Sequence, residues 1–353
     1  MECVGLSISL KEGVKMSKKS NSNCVKLIVN PGAGKTSETA NNLKLVTGYL
    51  KKNGLKADIV LANSKEKITQ FAHRAVKKGY KIVIAMGGDG TVKAVMRGLV
   101  SSKVRLGILP IGTENNIAMS LGIPKNLEEA CVVIASDNTQ KLDLAQVKTS
   151  ASEKMIFFEM VTLGLSASVY PDVNKVAKGK PSESKNTVST PDPQETKSMS
   201  FLTLDDEPEM EVETLLVMVS NQPGFGKNNL LTPGGIPAES RLDVAVYPDF
   251  SKTEILRYLA EISDRGYTGK GKIQHYQAIN LKIKMSPKLD IMVDGVALGK
   301  GTVSIKLLKN TVRVITTQKN PSKEDPQKDM AEVVPEKQAE PAFPIGEKSI
   351  NRK

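Results

Sequence analysis

The sequence predicts an α/β chain, an N-terminal open sheet of alternating strands and helices followed by a mainly antiparallel β domain. Three observations predict it. Residues 24–143 alternate apolar runs of strand length with amphipathic stretches of helix length. Two glycine-centred loops, Gly87-Gly88-Asp89-Gly90-Thr91 and Gly112-Thr113-Glu114-Asn115-Asn116, each follow a strand pattern and precede a helix pattern. After Asp143 strand patterns recur with few helices between them.

The elements follow in order. Residues 24–29 read as a first strand that runs into the turn Asn30-Pro31-Gly32-Ala33-Gly34-Lys35. An amphipathic helix over 39–52 is closed by Asn53-Gly54, and a second strand occupies 55–61. A helix over 65–78 ends at Gly79, with Ala72, Ala75 and Val76 on its buried side. Strand 81–86 and helix 92–100 flank the first glycine loop, and strand 105–110 and helix 117–121 flank the second. A further helix covers 127–137. Both loops therefore lie at the carboxyl ends of strands, where open α/β sheets of Rossmann-like type bind ligands.

Beyond Asp143, residues 156–163, 215–220, 242–247, 278–285, 289–294 and 303–308 read as strands, with one helix at 252–262. The expected organisation is a flexible N-terminus over 1–23, an α/β domain over 24–143 and a β-rich domain over 144–308. A strand at 309–320 then returns toward the first domain. Residues 171–213, rich in Lys, Ser, Glu and Pro, read as a mobile insertion, apart from a short apolar patch at 199–204. Residues 321–353 read as a disordered tail.

Composition narrows the partners. The formal net charge of +12 suits an anionic partner, whether nucleotide, phospholipid surface or nucleic acid. Aromatic residues make up 4% and Trp is absent, which argues against base stacking on single-stranded nucleic acid, so no specific nucleic-acid partner is expected. Cys3, Cys24 and Cys131 are too scattered for a disulfide scaffold or metal cluster and fit a reducing cytoplasm. His73 and His275 lack metal-ligand spacing and read as structural. The first two dozen residues lack the apolar core of a signal peptide, and no later run reaches membrane-spanning length. A soluble, cytoplasmic protein is expected; a lipid substrate would be met at the inner face of the membrane.

The glycine loops point to polyphosphate. Without Cβ atoms at Gly87, Gly88 and Gly90, backbone N–H groups approach phosphate oxygens closely, and the helix that follows adds its own unpaired donors. Asp89 would repel phosphate, so its place is explained by a metal, a sugar hydroxyl or a donor of the loop itself. Two tempting motifs fail at the first turn. A Walker loop at Gly34-Lys35-Thr36 needs glycine where Val29 stands, and the dinucleotide fingerprint from Gly32 ends on Ser37. Asn30, Gly32 and Gly34 are still expected to line the pocket from a third strand end. Thr91, Thr113 and Asn115 supply polar groups along the same edge.

These motifs in this order resemble the diacylglycerol kinase and sphingosine kinase catalytic-domain family, especially its soluble bacterial lipid kinases, and more distantly NAD kinases. The resemblance rests on Asn30-Pro31-x-Ala33-Gly34, the Gly87–Thr91 loop, and Leu106-Gly107-x-x-Pro110-x-Gly112-Thr113-x-Asn115. Leu142-Asp143, Leu163-Gly164 and Asp294-Gly295 complete it. It implies an N-terminal nucleotide-binding domain, a C-terminal β domain, an active cleft between them, and transfer of the ATP γ-phosphoryl group to a lipid hydroxyl, with diacylglycerol as the default acceptor. A different long-chain alcohol, or a degenerate relative that binds without turnover, are the competing readings. A homodimer is implied only by the family.

The resemblance also distributes roles. Gly87, Gly88, Gly90 and Thr91 bind phosphate, supported by Asn30, Gly112, Thr113, Asn115 and Asn116. Asp294 accepts the hydroxyl proton, and Mg2+ bridges the phosphates with Asp89, Asp243 or Glu239 as protein contacts. Two family carboxylates are replaced here. The late Asp-Gly-Glu becomes Asp294-Gly295-Val296, and the loop that ends in Asp in the family ends in Asn116. Lys175, Lys178 and Lys180 could bring the insertion to anionic lipid, although a simple solvated charge run is the better explanation of them.

Overall fold

The structure, a computed structural model, describes residues 23–34, 36–150, 154–164, 198–221, 240–248 and 273–317. Its first part is the alternation read from the sequence: β1 (Cys24–Val29), α1 (Thr39–Lys52), β2 (Lys56–Leu61), α2 (Lys65–Lys77), β3 (Ile82–Gly87), α3 (Asp89–Leu99), β4 (Arg105–Pro110), α4 (Asn116–Ser120) and α5 (Leu127–Ser136). β3, of sequence IVIAMG, is buried at every position, as expected of a central parallel strand covered on both faces. Ser64 caps α2 by accepting from the Lys67 N–H at 3.3 Å. Asn126 caps α5 by accepting from Glu128 and Glu129 at 2.9 and 3.2 Å. Each cap contributes about 1 kcal/mol.

The parallel strands run in the order β2-β1-β3-β4, so the chain reverses its direction of winding between β1 and β3. α1 packs with α5, and α2 with α3. Val29 lies opposite both Leu61 and Met86, and Met86 opposite Leu109, so β1, β3 and β4 end level. That alignment brings Asn30, Gly88 and Gly112 to one edge, at the switch point where such sheets hold ligands.

The second part is mostly antiparallel: β5 (Thr139–Thr149), β6 (Lys154–Phe157), β7 (Met160–Gly164), β8 (Ser198–Leu204), β9 (Met210–Ser220), β10 (Leu242–Pro248), β11 (Gln274–Ala278), β12 (Asn280–Ser286), β13 (Asp290–Val293), β14 (Val296–Lys300) and β15 (Val303–Ile315). β12, NLKIKMS, alternates strictly between exposed and buried side chains and so covers one face of a core. Val217, Val219, Val244, Leu281, Ile283 and Ile305 fill that core, which is distinct from the one between the parallel strands and their helices.

The structure differs from the sequence reading in four places. The expected division at 143/144 falls inside β5 and the one at 308/309 inside β15, because these two long strands pair with each other across both parts. β15 also adds Arg313 and Val314 in parallel to β4, which joins the parallel and antiparallel strands into one hydrogen-bonded network. An irregularity between Leu308 and Val312 lets it do so: Asn310 turns left-handed, φ 53°, and its N–H donates to the Asp143 carboxylate. The expected strand over 156–163 is two, β6 and β7, broken at Phe158-Glu159. The expected insertion over 171–213 contains β8 and the start of β9, whose alternating apolar residues pair with each other and with β12. The N-terminus before residue 23, the helix at 252–262, Lys175, Lys178, Lys180, Glu239 and the tail from 321 lie outside the described residues.

Candidate active site

The polar edge is built from three strand ends. After β1, Asn30 folds into a turn in which its Oδ1 accepts from the Gly32 N–H at 3.0 Å, while its Nδ2 donates to Thr91 Oγ1 at 3.0 Å. The Thr91 hydroxyl is thereby an acceptor for Asn30 and keeps its own proton to donate. Gly34 has φ +68°, and a Cβ there would lie 2.1 Å from the Ile111 carbonyl oxygen, so only glycine fits this approach of the first turn to the second loop.

At the ends of β3 and β4 the two glycine loops touch. A Cβ on Gly112 would lie 2.4 Å from Gly88 Cα. Asn115, left-handed at φ 55° and buried, closes its loop by accepting from the Gly112 N–H at 2.9 Å and donating to the Gly112 carbonyl at 2.8 Å. Gly88 is the N-cap of α3, and the first-turn N–H groups of Asp89 and Gly90 have no carbonyl within the helix to accept them. Asp89 takes the third of the roles the sequence allowed it, that of engaging a loop donor. Its two carboxylate oxygens accept from the Asn116 and Ile117 N–H groups at 3.1 and 2.9 Å and cap α4. Asn116 donates through its side chain to Glu114 at 3.3 Å, and Thr113 is exposed.

Asp294 sits in the left-handed turn between β13 and β14, φ 46°, with its side chain 1% exposed. Four donors converge on it: the N–H groups of Phe158, Glu159 and Met160 at 3.2, 2.9 and 3.3 Å, and Arg97 Nη2 at 2.9 Å. Phe158 and Glu159 lie between β6 and β7 and Met160 opens β7, so the carboxylate takes up three successive backbone donors at the break between the two strands. Arg97 also donates through Nε to the Ile156 carbonyl at 2.7 Å. One turn earlier on the same face of α3, Lys93 pairs with Glu159 at 2.9 Å, the two side chains being 14% and 17% exposed. The helix that starts at the first glycine loop is thus fastened to the β domain by two ion pairs.

Comparison with known proteins matches this layout along most of the described chain. A family model described as the diacylglycerol kinase catalytic domain matches residues 24–147, and one described as the YegS C-terminal NAD kinase beta sandwich-like domain matches residues 160–316. The first part of the chain is thus similar to the diacylglycerol kinase catalytic domain, and the second part to the YegS C-terminal domain. It is 33% identical over 126 residues to the "Diacylglycerol kinase" of Staphylococcus haemolyticus, covering 35% of this chain and 38% of that protein. To the "Probable lipid kinase YegS" of Salmonella gallinarum it is 26% identical over 226 residues, 61% of this chain and 72% of that one. The chain spans about 40% of the length of several other relatives it matches. In structure it resembles a diacylglycerol kinase from Bacillus anthracis with a TM-score of 0.64 at 22% identity, over 85% of this chain and 98% of that one, a likeness of fold.

Within this family layout two carboxyls have unusual surroundings. Burial pushes the Glu159 carboxyl up; Lys93 draws it back, and Asp294 and Asp89 push it further. Asp243, in β10, is pushed up to about 6 by burial, against a hydrogen bond donated by Gln277 Nε2 at 3.2 Å. It lies beside Ser220, which lies beside Met160, so it is two strands from the Glu159 bend. Among the described residues no group of three His, Cys, Asp or Glu side chains could hold a metal ion. A cation carried by nucleotide phosphates needs only one or two protein carboxylates, a requirement that buried Asp243 fits better than Asp89, whose oxygens are both engaged. No described helix is long and apolar enough to cross a membrane.

The sequence reading did not single out Lys93, Arg97 or Glu159. A signal for the first two was present: basic residues four apart share a helix face, and this helix follows a phosphate loop. Glu159 stood out only as one acid in the run Phe157-Phe158-Glu159-Met160.

Proposed function

We propose that the protein is an ATP-dependent lipid kinase that transfers the γ-phosphoryl group to a lipid hydroxyl, diacylglycerol being the first acceptor to try. The observation that carries this reading is the contact of the two glycine loops at the switch point, with the open N–H groups of α3 and the Thr91 hydroxyl beside it. Gly87, Gly88, Gly90 and Thr91 hold the phosphates. Asn30, Gly32, Gly34, Gly112, Thr113, Asn115 and Asn116 form the walls, and Asp89 shapes them by capping α4. Bound with the nucleotide, Mg2+ would offset charge on the phosphates, with Asp243 as its protein contact and Glu239 a second candidate.

The four donors on Asp294 occupy both lone pairs of both oxygens. In this reading Asp294 is the brace that holds the Phe158–Met160 bend against α3, and Glu159, carried on that bend, accepts the proton of the attacking hydroxyl. Support comes from its raised carboxyl, which keeps it basic enough to take a proton, and from the absence of a carboxylate at Val296. Lys93 orients it. The product, a lipid phosphate, would form at the membrane surface, consistent with the net charge of +12.

The replaced carboxylates at Val296 and Asn116 favour one other reading, a relative that binds nucleotide without transfer. Incubation of the full chain with radiolabelled ATP, Mg2+ and vesicles carrying diacylglycerol or other long-chain alcohols separates the two. Labelled lipid phosphate is expected. ATP binding with no labelled product from any acceptor would sink the kinase reading and leave the second.

A further inference from the structure

The opposite end of the parallel sheet carries a basic cavity that the glycine loops do not reach. It opens where β3 and β4 begin, five residue steps, about 17 Å, from the loops at which they end. Its volume is about 520 Å³, and Lys81, Lys103, Arg105 and Arg313 all line it. These side chains come from four separate segments: the lead-in to β3, the turn before β4, β4 itself and β15.

The charges are poorly compensated. Arg105 pairs with Asp137 at the end of α5 and donates through Nε to the Lys81 carbonyl at 3.4 Å. Among the described residues Lys81, Lys103 and Arg313 have no carboxylate partner. The sheet itself sharpens the imbalance, since Arg313 lies directly opposite Arg105 on β4 and Lys141 on β5. Three cations in register across adjacent strands repel one another. Buried Val104 and half-buried Val76 form the apolar part of the wall beside them.

We propose that this cavity is a second binding site, for a small phosphate-bearing anion of the size of a glycerol phosphate. A multiply charged tetrahedral oxyanion matches the donor set: Arg313 presents a planar fork suited to two phosphate oxygens, Arg105 adds the donors that Asp137 and the Lys81 carbonyl do not take, and the two lysines add point charges. A volume of about 520 Å³ exceeds what a bare ion fills and lies in the range of small-molecule pockets. The inference stands on this end of the sheet alone and does not depend on the kinase reading. The phosphate could belong to a free metabolite or to the headgroup of an anionic lipid, which would hold this end of the sheet against a membrane.

Calorimetry of the full chain with glycerol 3-phosphate, and sedimentation with phosphatidylcholine vesicles with and without phosphatidic acid, test it. Each is run on the wild type and on Lys103→Gln/Arg313→Gln. The difference between the proteins is the readout, so phosphate taken up at the glycine loops cancels. Affinity at least about tenfold weaker in the variant is expected, with a melting temperature in chloride buffer equal to or above that of the wild type because like charges have been removed. Loss in the calorimetric arm identifies a soluble ligand, and loss confined to the phosphatidic acid vesicles identifies a headgroup. A variant that melts early is replaced by Lys81→Gln/Lys103→Gln, which leaves both arginines in place. Equal binding by wild type and variant in both arms, or no binding in either, overturns the proposal.

Discussion

Asparagine at position 294 would keep the shape of the side chain but turn one acceptor oxygen into a donor facing Arg97 or the Phe158–Met160 N–H groups. Removing one member of a buried charged pair leaves the other desolvated and alone, so Asp294→Asn is expected to cost on the order of 3 kcal/mol, read as a lower urea midpoint at unchanged slope. A protein as stable as the wild type would show that the brace carries no weight. Glu159→Gln should behave differently, because its side chain has one described ion-pair partner and retains a neutral acceptor. A stability loss on the order of 1–2 kcal/mol is expected. Turnover, however, should fall about a hundredfold or more at neutral pH. The wild-type rate should rise with pH through the raised Glu159 titration, since only the ionised carboxylate accepts a proton, and the variant should lose that limb. Turnover that keeps the same pH profile in Glu159→Gln would remove this residue from proton transfer.

The two loops act as one element because β3 and β4 end level and their glycines touch. Gly112→Ala places a methyl 2.4 Å from Gly88 Cα, a distance that only movement of backbone can relieve. ATP affinity by calorimetry should drop at least about tenfold while most of the fold survives. Gly48→Ala in α1 is the matched control, since its Cβ would meet nothing within 4 Å; it should add about 0.5–1 kcal/mol of stability and leave ATP binding unchanged. Unaltered ATP affinity in a folded Gly112→Ala protein would separate the loops from nucleotide binding. These loops were legible in the sequence because close backbone approach leaves a local trace, glycine, at fixed spacing after an apolar run. The brace was not. Arg97 and Asp294 are 197 residues apart, and each alone is an unremarkable helix or turn residue. The break at Phe158-Glu159 was hidden for the same reason, since the carboxylate that fills it comes from the far end of the chain. The unity of β5 and β15 was hidden because strand patterns record burial but not the partner strand.

Across the whole molecule, carboxyl groups respond to pH in opposite directions. Burial, the largest single influence on Asp58 and Asp205, pushes both up, but hydrogen bonds together with Lys26 and Arg241 respectively outweigh it and hold both below the ordinary range; their stabilisation is present at neutral pH and lost on acidification. Asp243 runs the other way. Its carboxyl is pushed up to about 6 from its ordinary value of 3.8, so between these values the folded protein keeps a proton that the unfolded chain has released. Its contribution is therefore most favourable below about 3.8 and is lost as pH rises through about 6, on the order of 3 kcal/mol in all. The difference between wild type and Asp243→Asn isolates it from the opposing groups: the variant should gain on the wild type steadily between pH 4 and pH 7. A cation held with the nucleotide would remove the penalty by stabilising the ionised form, so ATP with Mg2+ should bind the wild type more tightly at pH 7 than at pH 5, with a proton released. Asp243→Asn should lose that added pH dependence. The same slope in both proteins, measured by calorimetry in buffers of different ionisation enthalpy, would place the cation elsewhere and leave Asp243 as a buried acid with no part in nucleotide binding.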